Sequence, residues 1–132
     1  MHFVAQRALK FLALLAALAA GAAAASAQGR LVKVTAGSDG KFVVAGQRKP
    51  VIVAKPGESL LLLMTSKASD TPQADGTVHT FTAPAMGLDV RLKEGTRKIA
   101  FKAPKKPGMY AIVCLTPCGK GHDSMVMKLH VK

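Results

Sequence analysis

Apolar and polar residues alternate along most of this chain with a period of two, the mark of strands with one buried face. Leu31 to Ala36 alternates and is rich in β-branched residues, so it predicts a strand. Gly37-Ser38-Asp39-Gly40 predicts a turn, and Lys41 to Ala45 a second short strand. Val51 to Ala54 predicts a third, and Lys55-Pro56-Gly57-Glu58 has the Pro-then-Gly order of a type II turn. Leu60 to Ser66 reads as a longer, central strand, and Lys67 to Gly76 as a polar loop. Further strands are predicted at Val78 to Ala83, Val90 to Lys93, Thr96 to Lys102, Met109 to Cys114 and Met125 to Val131. Pro84 stops the first of these, and Ala85 to Leu88 is expected to be irregular. Nothing after the leader has helical periodicity. About seven or eight short strands with regular turn punctuation imply an all-β sandwich or Greek-key barrel.

The first residues break this pattern. Arg7 and Lys10 precede an apolar run from Phe11 to Ala25, closed by Ala25-Ser26-Ala27. This is the form of a secretory signal, residues 1–27, with cleavage expected after Ala27. An uncleaved anchor is the competing reading, but the run is short and Ala-rich. Residues 28–132 then form one domain with a single core, exported to the periplasm and carrying no transmembrane segment. That core has no Trp, so it rests on Val, Leu, Ile and Met, with Met64, Met86 and Met109 as expected fillers.

Charge narrows the partners. The whole chain carries +12, and losing Arg7 and Lys10 leaves +10. That favours acidic partners or contact with an anionic membrane surface. Nucleic acid is not expected, because the basic residues are scattered and lack aromatic interleaving. There is no Ser/His/Asp arrangement, paired carboxylate or phosphate loop, so catalysis is not expected either.

The chemistry concentrates in Cys114-Leu-Thr-Pro-Cys118-Gly-Lys-Gly-His122-Asp-Ser-Met125. Two thiols, an imidazole and a thioether in one loop suit copper and not calcium or magnesium. Strand parity places Tyr110, Ile112 and Cys114 on one face. His79, in a predicted strand, is a candidate distant ligand. Other readings compete. Two cysteines in an exported chain commonly form a disulfide. Two Cys and two His can bind zinc. Cys118, His122, His79 and Met125 or Met127 could build a mononuclear blue-copper site.

Two stretches resemble the copper A domain of cytochrome c oxidase subunit II and the equivalent domain of nitrous oxide reductase. One is Val78-His79-Thr80-Phe81 followed by Pro84. The other is Pro107-Gly108-Met109-Tyr110, then Cys114, Cys118, Gly119, His122 and Met125. The resemblance covers Leu60 to Lys132 and implies a cupredoxin fold with two coppers per chain. It implies that Cys114 and Cys118 bridge both metals and that His79 and His122 each bind one. Met125 and the Thr116 carbonyl would be the weak ligands. With every position filled by protein, the implied role is electron transfer with a cytochrome or terminal oxidase. A periplasmic copper carrier for oxidase assembly is the alternative.

The chain departs from that family in several places. Gly76-Thr77 stands where an acid usually precedes the histidine strand, and Thr116 where an acid commonly lies between the cysteines. The aromatic electron-entry residue, the two-helix anchor and the acidic docking surface have no counterpart.

Overall fold

A computed structural model describes residues 29–132; the expected signal, residues 1–27, lies outside the described residues. Nine strands form in the order β1 (Arg30–Ala36), β2 (Phe42–Val44), β3 (Val51–Ala54), β4 (Ser59–Ser66), β5 (Thr77–Ala83), β6 (Leu88–Lys93), β7 (Gly95–Lys102), β8 (Gly108–Val113) and β9 (Val126–Val131). Each of the nine falls on a stretch read as a strand from the alternation, although the overall expectation is seven or eight, and β6 begins two residues before the predicted Val90. That early start follows a 3-10 turn at Pro84–Met86 closed by Gly87 in the left-handed region. It compresses the irregular stretch and returns the chain directly along β5. Among the described residues no helix is long and apolar enough to cross a membrane.

Two sheets stack as a sandwich. One has the order β2-β1-β4-β7, the other β3-β9-β8-β5-β6. β1 runs parallel to β4 and β3 parallel to β9, while the remaining pairs are antiparallel. β4 shows why the sequence folds this way. Leu60, Leu62, Met64 and Ser66 are buried, and the residues between them face outward, half-covered. The alternation matches the pleat, so one face of the strand enters the core. Leu60, Leu62, Phe81, Leu92, Ile112 and Leu129 fill that core, with Phe42 edge-on to Phe81 at 6.2 Å. Of the three methionines expected there, Met64 is buried and Met86 is partly buried against the core. Met109 instead faces out, 53% exposed, because Tyr110 and Ile112 take the inward positions of β8.

Three connections meet at one end of the sandwich: the β1–β2 turn, the β4–β5 loop and the β8–β9 loop. The β1–β2 turn touches the β8–β9 loop backbone to backbone. A Cβ on Gly40 would lie 2.6 Å from the Lys120 carbonyl oxygen and 2.7 Å from the Gly121 carbonyl carbon. From the other side, Thr71 of the β4–β5 loop donates its hydroxyl to the Pro117 carbonyl at 3.0 Å.

Candidate metal centre

The β8–β9 loop is tied at its root. The Cys114 N–H donates to the Met125 carbonyl at 3.2 Å, so the loop leaves and re-enters the sheet at one point. Within it, Gly119 (φ 87°) and Gly121 (φ 88°) occupy the left-handed region. They fold the chain into a 3-10 turn at His122–Ser124. Ser124 closes that turn, donating its hydroxyl to the Gly121 carbonyl at 3.1 Å. This winding, absent from the sequence reading, points His122 back over Cys118.

The six residues singled out by sequence converge. The Cys114 and Cys118 Sγ atoms lie 3.5 Å apart and form no disulfide. His122 Nδ1 is 3.3 Å from Cys118 Sγ, and Met125 Sδ is 3.5 Å from the same sulfur. The Thr116 carbonyl oxygen is 3.4 Å from Cys114 Sγ. A ring nitrogen of His79 and the two sulfurs all lie within 4.8 Å of one another. Inward parity for Cys114 holds, since it is buried beyond Ile112. His79, Cys118 and Met125 are buried as well, whereas His122 is partly exposed.

His79 is held by the strand register. A bulge separates Thr77 from His79 in the pairing of β5 with β6, and His79 is fully buried. Its Nε2 sits 3.2 Å from the Lys67 carbonyl, which fixes that nitrogen as the N–H. Its Nδ1 has no hydrogen-bond partner. A buried, orphaned imidazole nitrogen with a free lone pair beside two thiols is a vacant donor, and such atoms are rare without a reason. Soft sulfur with imidazole nitrogen suits copper, zinc or iron–sulfur chemistry by donor type. The side chains present therefore fit a soft or borderline metal.

Sequence reading missed the scaffold around the sulfurs. Thr80 donates its backbone N–H to Cys114 Sγ at 3.4 Å and accepts the Leu115 N–H on Oγ1 at 2.8 Å. Behind it, Thr82 Oγ1 lies 2.9 Å from Thr80 Oγ1 and 3.2 Å from Asp89 Oδ1. The Thr80-Phe81-Thr82 alternation beside a candidate His was the available signal, but it equally describes an ordinary strand.

The electrostatics separate the two thiols. Burial pushes the Cys114 thiol up, but the His79 side chain beside it, the Thr80 backbone N–H, Cys118 and the Thr116 backbone outweigh it and bring it down to about 6. Burial raises Cys118, and the neighbouring Cys114, as hydrogen-bond partner and as thiolate, raises it further, to about 12. Two sulfurs in contact lose their protons in two separated steps, because the first thiolate opposes the second. Cys114 is therefore the thiol that gives up its proton first, and a cation beside the pair favours loss of the second.

No family model matches the sequence, and no curated protein matches it. Solved structures do. A heme-copper terminal oxidase chain is similar over 77% of this chain at 22% identity and a TM-score of 0.59; the chain spans 63% of that protein's length. The periplasmic domain of cytochrome oxidase subunit II from Bradyrhizobium japonicum is similar over 77% of this chain and 83% of its own, at 19% identity and a TM-score of 0.53. Auracyanin A, a blue copper protein from Chloroflexus aurantiacus, is similar over 78% of this chain and 98% of its own, at 15% identity and a TM-score of 0.52. With two stacked sheets of nine strands and this likeness, the chain has the cupredoxin fold.

Proposed function

We propose that this chain is an exported, non-catalytic electron-transfer protein that carries a copper A-type pair of copper ions. The observation that supports this reading is the pairing of donors around two sulfurs in contact. Cys114 and Cys118 stand 3.5 Å apart, His79 reaches that pair from β5, and His122 stands against Cys118. A mononuclear site needs only one thiolate and leaves Cys114 without a role. A disulfide leaves the buried His79 Nδ1 without one.

In this reading Cys114 and Cys118 would hold both coppers, and His79 (through Nδ1) and His122 would each bind one. Met125 and the Thr116 carbonyl would be weak additional donors. A copper pair supplies one-electron exchange between two oxidation states with little change in geometry. The protein does the rest. Burial of His79, Cys118 and Met125 keeps water from the sulfurs. The Lys67 carbonyl fixes the His79 tautomer, and Thr80 anchors Cys114 and the turn after it. The partly exposed His122 edge is the natural path for electrons to a partner.

A carrier that hands copper to an oxidase would present its ligands to solvent for exchange. Burial of five of the six donor residues, all but His122, argues for retention instead. The redox partner in this reading is a cytochrome or a terminal oxidase, of the kind to which the similar subunit II domains belong. The proposal extends to the 1–27 signal and to residues 28–132 as the exported domain.

The test is copper stoichiometry and the electron paramagnetic resonance spectrum of the protein reconstituted with copper. Two coppers per chain with an unpaired electron shared over two nuclei are expected. One copper per chain, or a spectrum confined to one nucleus, refutes the binuclear assignment.

A further inference from the structure

The outer face of the β2-β1-β4-β7 sheet lies away from the metal loop and has its own pattern. Register aligns Lys33, Leu63 and Lys98 in one cross-strand row, and Leu31, Leu61 and Ala100 in the next. Leu31 is 53% exposed, and Leu61 and Leu63 are half-covered. Lys102 continues the outward positions of β7 and, like Lys33 and Lys98, is exposed. The described strands place no carboxylate on this face: all its remaining outward positions are small, hydroxyl-bearing or aliphatic. Two ammonium groups therefore flank a leucine with two strand spacings, about 10 Å, between their backbones.

We infer that this sheet face docks on an anionic lipid surface, lysines on headgroup phosphates and leucines against the acyl boundary. Charge complementarity fixes the sign of the partner, and composition fixes its kind. Protein interfaces are enriched in aromatics and Arg and depleted in Lys. This face holds three lysines, no arginine and no aromatic residue among its outward strand positions. Lysine stems lie along apolar surface while their ammonium heads reach outward, the arrangement that suits a membrane interface. The sheet lies flank-on, so docking leaves the loop end of the sandwich, with His122, free for a protein partner.

The test is flotation of the purified protein with vesicles of phosphatidylcholine alone and of phosphatidylcholine with 30% phosphatidylglycerol, at about 0.1 M salt where surface attraction persists. Binding to the anionic vesicles only is expected. Each lysine near such a surface contributes about fivefold, so the double variant Lys33→Glu/Lys98→Glu is expected to lose at least about 25-fold. The charge-matched Lys55→Glu/Lys128→Glu, placed off this face, is expected to lose less than a third as much. If the first variant fails to fold by circular dichroism, Lys33→Gln/Lys98→Gln carries the same comparison. No partition onto anionic vesicles overturns the proposal. Equal losses for the two doubles also overturn it, because binding would then follow net charge and not this face.

Discussion

Gly40→Ala is the sharpest probe of how the fold holds the metal loop. Gly40 has φ 71°, buried at the tip of the β1–β2 turn. A Cβ there would stand 2.6 Å from the Lys120 carbonyl oxygen and 2.9 Å from the Gly121 Cα. Ordinary contact begins at 3.4 Å, so the two backbones must part by the difference, about 0.8 Å. Alanine in the left-handed region costs about 1 kcal/mol by itself. Overpacking against backbone that cannot rotate away adds about 1–3 kcal/mol. The sum is about 2–4 kcal/mol, or a fall in melting temperature of about 10–20 °C for a domain of this size. The displaced residues adjoin His122, whose Nδ1 is 3.3 Å from Cys118 Sγ, so the site must change with the fold. Gly46→Ala is the control. Its φ is 78°, yet nothing lies within 4 Å of the added Cβ. It should cost only the conformational part, about 1 kcal/mol, and leave the copper spectrum unchanged. Thermal melts of the metal-free protein and spectra of the copper-loaded protein measure both. If Gly40→Ala melts with Gly46→Ala, or leaves the spectrum intact, the brace between the turn and the loop does not exist.

Other predictions test the sulfurs and their supports. Cys114→Ser should abolish the shared-electron spectrum while the protein stays folded; an unchanged spectrum and metal content would remove Cys114 from the bridge. In the metal-free protein, thiolate absorbance should rise by one thiolate per chain as pH rises through about 6, Cys114 losing its proton, with the second step far above it, towards about 12. Cys114 is an acid whose folded value is depressed, so its stabilising contribution exists above the ordinary thiol range and is lost as pH falls through about 6. Thr80→Val leaves the Leu115 N–H without its 2.8 Å acceptor and should destabilise by about 1–2 kcal/mol in denaturant unfolding; an unchanged midpoint would show that this bond does not hold the turn.

Two parts of this protein were legible from residues alone. The strand positions were one, because period-two alternation is a local property: β3 was read with its observed ends and β4 to within one residue. The donor set was the other. Cys114, Cys118, His122 and Met125 share one short loop, and a loop tied at its root cannot carry its residues far apart. His79 needed more than spacing. Its place in a predicted strand and the cluster of soft donors make it a candidate, the resemblance strengthens it, and only the pairing of β5 against β6 and β8 places it beside the sulfurs.

The rest was decided by tertiary contact. Parallel pairing of β1 with β4 and of β3 with β9 joins strands whose local patterns do not name each other. The exposure of Met109 follows from which parity of β8 the core accepts, and both parities carry apolar residues. The length of β6 depends on a 3-10 turn that Pro84 and Gly87 permit but do not dictate. The supports of the site come from chain segments distant in sequence: Gly40 against Lys120, Thr71 on Pro117, Lys67 on His79 and Thr80 on Leu115. Ligand chemistry resides in side-chain types, which a sequence displays. Ligand placement resides in backbone contacts between loops, which exist only once both sheets have packed.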